Sequence, residues 1–111
     1  MALTRAGVWV ELLLAGQMAA FNDRASSQRP DLENADLRMA DLREANLRQA
    51  NLRGAYLRQA DLRGLDLSEA NLDGASINEA RISGTLFQRD IAADEITLSV
   101  WKGTRLRARR S

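Results

Sequence analysis

The chain has no cysteine and no histidine. The first absence excludes a disulfide framework and a thiolate zinc site. The second removes the commonest general base and the commonest metal ligand. Without either residue, no Ser-His-Asp or Cys-His nucleophilic set can be assembled. No sign of charge dominates: 16 basic residues stand against 15 acidic ones, for a net charge of +1. That balance demands neither a nucleic acid nor a membrane as partner, and it is not the composition of a disordered chain. Long apolar runs are missing too. The best candidate, VWVELLLAG at 8–16, is interrupted by Glu11 and falls far short of the ~20 apolar residues that a membrane helix needs. Glu11 also argues against a secretory signal following Arg5. A cytoplasmic location fits these absences. The 111 residues amount to one domain.

What the sequence does have is a repeat of five residues. Large apolar residues stand at Leu32, Leu37, Leu42, Leu47, Leu52, Leu57, Leu62, Leu67, Leu72, Ile77, Ile82 and Phe87, twelve units without a slip. Two places before each lies a small residue, and nine of these twelve are alanine. Asp or Asn fills eight of the twelve positions between them. An α-helix cannot use this period, because five residues advance by ~500° and successive Leu residues would spiral around the axis. A flat strand cannot use it either, since an odd period sends alternate Leu residues to opposite faces. A short extended piece followed by a bend does satisfy it. Asp and Asn suit the bend, because their side chains bond nearby backbone groups. The chain is expected to wind as a coil with Ala and Leu inside. Leu65, at a small-residue position, is expected to crowd or widen one corner.

This pattern, read as Ala, Asp or Asn, Leu and two variable residues over 30–89, resembles the pentapeptide-repeat proteins. The resemblance implies an all-β solenoid: a right-handed quadrilateral parallel β-helix with four units per coil. Twelve units then make about three coils, a rod of ~15 Å at the usual spacing of paired strands. The two ends of such a rod need covering. Three segments follow: an N-terminal helix and linker (1–29), the β-helix (30–89), and a C-terminal cap with a basic tail (90–111).

Residues 3–23 read as one capping α-helix, with Ala6, Val10, Leu13, Leu14, Met18 and Phe21 at helical spacing and Thr4 as N-cap. A helix with LLAG, then FN, then RPDL is similar to segments that precede many short pentapeptide-repeat rods. A membrane-surface role would need more Lys and Arg on it. At the other end, ITLSVW (96–101) alternates like a strand. Asp94 and Glu95 before it, with Lys102 and Gly103 after it, favour a short helix that covers the last coil with Ile96, Val100 and Trp101. DEITLSVWKGTRLR also resembles a C-terminal extension found on some members of the family. The tail RLRARRS (105–111) reads as a solvated end, or as a basic segment that attracts an acidic partner or nucleic acid.

Little here carries chemistry, so no enzyme activity, cofactor or metal is expected. The recurrent Asp residues face different sides of a four-unit coil and do not converge on one ion. Gly54, Gly64, Gly74 and Gly84 mark tight corners, and no GK[ST] follows to make a phosphate loop. One surface feature stands out. Arg38, Arg43, Arg48, Arg53, Arg58 and Arg63 all follow the inward Leu, forming a belt around the early coils. Asp and Glu are interleaved with it. The belt reads either as a mixed-charge solubilising surface or as a docking site for an acidic protein or phosphates. Tyr56 occupies an outward position otherwise held by Asp or Asn. With Trp101 and the tail residues Arg105 and Arg107 it completes the candidate partner-binding set; Trp9 and Trp101 are also expected to pack the two caps.

The expected function is a non-enzymatic interaction module, a small rigid adaptor or accessory subunit of a larger assembly. Its partner is another protein; a homodimer is compatible with it, and membrane insertion is not expected. The resemblance implies an alternative, because some family members mimic duplex DNA and modulate type II topoisomerases. Mimicry asks for a long acidic rod, and this chain is short and carries a net charge of +1. Weak nucleic-acid binding through the belt and tail is a third reading, disfavoured by the interleaved carboxylates.

Overall fold

The computed structural model describes residues 5–109 and, within them, the side chains from 7 onward. Thr4, the side chain of Ala6, and Arg110 of the basic tail lie outside that description. The five-residue register becomes a coil. Single-residue parallel bridges join Asp31 to Asn51 and Asn51 to Asn71, and likewise Asp36, Tyr56 and Ser76. The offset of 20 residues is four units per turn. No continuous strand forms among the described residues, because each extended piece ends in a bend before a second bridge can follow.

The bends follow from residue type. The amide of each small residue, from Ala35 to Thr85, donates to the carbonyl of the large residue three places before it at 3.0–3.2 Å. All eight Asp and Asn side chains then accept the backbone N–H two residues on, at 3.0–3.3 Å. Between turns, the amide of the inward Leu donates to the next turn, as from Leu32 to the Asn51 carbonyl (2.8 Å) and from Leu52 to that of Asn71 (2.8 Å). The inward ladder from Leu32 to Ile77 is fully buried, with Ala at the other corners. Leu65 is accommodated without opening the coil: it is buried, and its carbonyl still accepts the Leu86 amide at 2.9 Å. Ile82 and Phe87 depart from the expected core. Both are half-buried, because they sit in the last turn with no further turn above them.

The fifth position of the unit adopts a left-handed backbone at several corners. Gly54, Gly64, Gly74 and Gly84 have φ of 68–80°, and Met39 does the same at 64°. Met39 is 75% exposed, so no packing offsets the Cβ strain there. Met39→Gly is expected to stabilise the fold by about 0.5–1 kcal/mol. The check is the urea midpoint, and a lower midpoint at unchanged slope would refute it.

The N-terminal segment is two helices and not one: α1 (Arg5–Leu14) and α2 (Met18–Ala25). The break is at Gly16, which is left-handed at φ 71° and donates to the Leu13 carbonyl. It turns α2 back so that Phe21 meets Trp9 edge-on at 5.2 Å between centroids. In one straight helix those residues would stand ~18 Å apart. Trp9, Leu13 and Phe21 join the core, whereas Leu14 is left exposed beyond the turn. Asn22 covers the backbone edge of the first turn: its Oδ1 accepts the Asn46 amide (2.7 Å) and its Nδ2 donates to the Glu44 carbonyl (2.9 Å).

At the other end α3 (Ala93–Lys102) occupies the segment where a short helix is expected. Asp94 and Glu95 in its first turn and Lys102 in its last complement the helix dipole, and Gly103 ends it at φ 75°. Buried Ser99 accepts the Ile77 amide through Oγ (3.0 Å), and the Val100 carbonyl accepts that of Glu79 (2.9 Å). No helix of the described residues is long and apolar enough to cross a membrane.

Candidate interaction surface

Each arginine of the belt faces outward, and each has a carboxylate. Arg38, Arg43 and Arg63 grip Asp36, Asp41 and Asp61 through Nε and Nη2 at 2.7–2.9 Å. Further pairs reach across to a neighbouring turn: Arg43 also to Asp61 (3.3 Å), Arg48 to Asp66 (3.8 Å), Arg53 to Glu33 (3.6 Å) and Arg58 to Glu79 (4.0 Å). The stack adds uncharged rungs, such as Gln59 Nε2 donating to Glu79 Oε2 at 2.8 Å. The belt is therefore a lattice of ion pairs around the coil. Each exposed pair stabilises by only about 0–1 kcal/mol. Its larger consequence is that the cations are already neutralised, which weakens the field a phosphate would feel.

The pairing shifts the carboxylates. The Arg38 guanidinium, and then its backbone N–H, lower Asp36 to about 2. The Arg63 guanidinium leads in lowering Asp61 to about 2, and Asp41 is lowered by Arg43. A carboxylate with a depressed folded-state pKa contributes stability that is complete above its unfolded value and is lost as pH falls through the folded one. The melting temperature should therefore stay level from neutral pH down to roughly 4 and fall between 4 and 2. No histidine exists to add a step between pH 5 and 8. NMR titration of the side-chain carboxyls tests this directly; an ordinary Asp midpoint for Asp36 and Asp61 would contradict it.

The remaining expected contact residues have different fates. Tyr56 is 43% exposed and carries an intramolecular partner: the Arg105 guanidinium lies 5.4 Å over its ring, and Arg105 Nη1 donates to the Gly74 carbonyl at 2.8 Å. Arg107 donates through Nε to Glu95 of α3 at 2.9 Å. The tail is thus bound to the body at least to residue 109, where the Arg109 amide donates to the Asp90 carbonyl. Sequence reasoning missed its centre, Leu106, which is fully buried and pairs with the Gly74–Ala75 step. The signal available was a lone Leu between arginines. Trp9 packs the N-terminal cover as expected. Trp101 does not pack the last turn: it is 79% exposed. Helical spacing explains why, since α3 buries Ser99 and half-buries Ile96 and Val100, which turns position 101 outward. Leu98, three residues before it, and Leu86 are exposed as well. Among the described residues no His, Cys, Asp or Glu side chains group as metal ligands.

A family model described as pentapeptide repeats, in eight copies, matches residues 31–64 and 50–89, together more than half of the chain. Neither the curated proteins nor the solved structures contain a match.

Proposed function

Because the chain belongs to the pentapeptide-repeat family, we propose that its coil is a right-handed quadrilateral β-helix serving as a non-enzymatic interaction module, a rigid adaptor or accessory subunit of a larger protein assembly in the cytoplasm. The observation that carries this reading is the contrast between two surfaces. The belt cations are internally paired, while Trp101, Leu98 and Leu86 stand exposed at the C-terminal end. Exposed aromatic side chains of this kind anchor protein interfaces, whereas paired arginines give up few counterions to a nucleic acid. The same pairing, with a net charge of +1, weighs against both a duplex mimic and a nucleic-acid binder.

The test is the native size of the untagged protein in lysate of its source, by gel filtration with antibody detection. Elution in a complex that survives nuclease and moderate salt is expected. Trp101→Ala should keep the fold, since the side chain packs against little, and should shift the protein to its 12.3 kDa position. Wild type eluting as a monomer, or a complex dissolved by nuclease, would overturn the reading.

A further inference from the structure

The C-terminal end of the coil is covered over only half its circumference. In the inner turns, most fifth residues of a unit and the residues after them address the next turn, as Asn34, Met39 and Gln59 do through their amides. The Gly54 and Gly64 amides donate to the Asp73 and Ser83 carbonyls at 3.0 and 2.9 Å. The Ala55 and Leu65 carbonyls accept the Ser76 and Leu86 amides at 3.0 and 2.9 Å. In the last turn, with no further turn to meet, Leu106 takes over at one corner. Its carbonyl accepts the Gly74 amide (2.6 Å), and its amide donates to the Ala75 carbonyl (2.7 Å). Two units on, half a turn around the coil, the Gly84 amide and the Thr85 carbonyl present the same pair. Neither has a hydrogen bond among the described residues, and Gly84 is exposed. The Ile82 and Phe87 amides are equally unpaired. Their side chains are half-buried where Leu62 and Leu67, one turn below, are sealed.

We propose that this open corner is a docking seat for an extended acidic peptide with one central aliphatic residue, held by the Gly84 amide and the Thr85 carbonyl. The proposal rests on the interaction-module reading and names the chemistry of its partner. Leu106 supplies the template: an extended segment exchanging two backbone bonds with a Gly–Ala step while a Leu side chain is buried. The charge selects the occupant. Arg81 and Arg89, three residues before and four after the Gly84–Thr85 step, are exposed, and unlike the belt arginines they have no carboxylate partner among the described residues. Of the two Asp residues that follow in sequence, Asp94 is in the first turn of α3, where its charge is set against the helix dipole, which leaves Asp90 as the nearer counter-charge. A second copy of this chain fits poorly, because its own Leu106 lies between Arg105 and Arg107 and would set cation against cation. The matching ligand is the acidic counterpart of that segment.

The experiment is a titration of the ¹⁵N-labelled full chain with the acetylated peptide Ser-Asp-Glu-Leu-Glu-Asp-Ser-amide, followed by amide NMR. The Gly84 resonance should move downfield and its exchange slow at least tenfold at saturation, while Gly54 and Gly74 stay in place. Replacing the peptide's Leu by Ser should weaken binding about tenfold, the loss of one buried aliphatic side chain. The double variant Arg81→Glu, Arg89→Glu should weaken it about fivefold. If that variant misfolds, the Ser peptide on the wild-type chain still decides. An unmoved Gly84 at about 1 mM peptide, or equal binding of the Leu and Ser peptides, would overturn the seat. So would Gly84 protection that rises with protein concentration alone, which would make the occupant a second copy. A chain that elutes with a partner while Gly84 stays unmoved would lose the seat and keep the module.

Discussion

Leu52→Glu is expected to abolish the cooperative thermal transition of the protein. Leu52 is fully buried in the middle turn, one turn above Leu32 and one below Leu72, both equally buried. Hydrogen bonds to the turns on both sides hold its stretch of backbone: the Leu52 amide donates to the Asn71 carbonyl at 2.8 Å, and the Asn51 amide to that of Pro30 at 2.8 Å. The ladder around it is made of Leu and Ala, so a carboxylate there meets no side-chain donor. Burying an unpaired charge costs several kcal/mol even after the group takes up a proton. The total stability of a domain is only about 5–15 kcal/mol. Connectivity amplifies the loss. In a repeat fold each turn is stabilised by its neighbours, and the middle turn of three belongs to both interfaces. Once it goes, no pair of turns is left in contact. Leu52→Ala, which leaves a cavity without a charge, should cost about 2–5 kcal/mol and keep a transition. Ile82→Glu should be milder still, since Ile82 is half-buried at the open end and its carboxylate reaches water. Circular dichroism melts of the three variants separate these cases. A Leu52→Glu protein that melts within a few degrees of wild type would mean that the inward ladder is not what holds the coil.

The features legible in the sequence are those that repeat. An inward Leu every five residues, a small residue two before it and an Asx side chain between them are each demanded by contacts that recur in every unit, so the register shows them. What the period cannot show is what happens where it stops. Ile82 and Phe87 have the right residue type and only half the burial, because their cover is a helix and an open corner in place of another turn. Leu106 reads as part of a charged tail, and its burial follows from the Gly74 amide and Ala75 carbonyl, which are free only once the coil exists. The belt was visible as six arginines, but its pairing was not. Arg43 meets Asp61 and Arg53 meets Glu33 only when 20 residues make one turn. The break at Gly16 was in plain view as a glycine. The apolar residues on both sides of it keep helical spacing, so the pattern by itself does not mark the break.

Leu106→Asp should detach the tail and leave the coil folded. The backbone of this position makes both bonds to the Gly74–Ala75 step, and the side chain is sealed beneath the tail. A carboxylate cannot stay there unpaired, so the segment must lift away. Its neighbours go with it: Arg105 leaves Tyr56 and the Gly74 carbonyl, Arg107 leaves Glu95, and the Ala108 amide leaves Asp73. The lost Leu burial is worth about 1.5–3 kcal/mol, and each net hydrogen bond about 0.5–1.5 kcal/mol. The freed tail regains conformational entropy of about 1–2 kcal/mol per residue, which offsets much of this sum, so the expected destabilisation is roughly 3–5 kcal/mol. The loss is bounded, because a detached tail costs only what the tail contributed. The inner ladder from Leu32 to Leu67 keeps the coil turn that follows it. Amide exchange distinguishes this from the collapse expected of Leu52→Glu: Gly74 should lose its protection, while Gly54, bonded to the Asp73 carbonyl at 3.0 Å, should keep most of its own. The uncovered corner adds a second exposed edge to the one at Gly84. The variant should accordingly self-associate at concentrations where the wild type does not, which sedimentation velocity would detect. Retained Gly74 protection would show that α3 alone covers the end, and that Leu106 is a passenger on it.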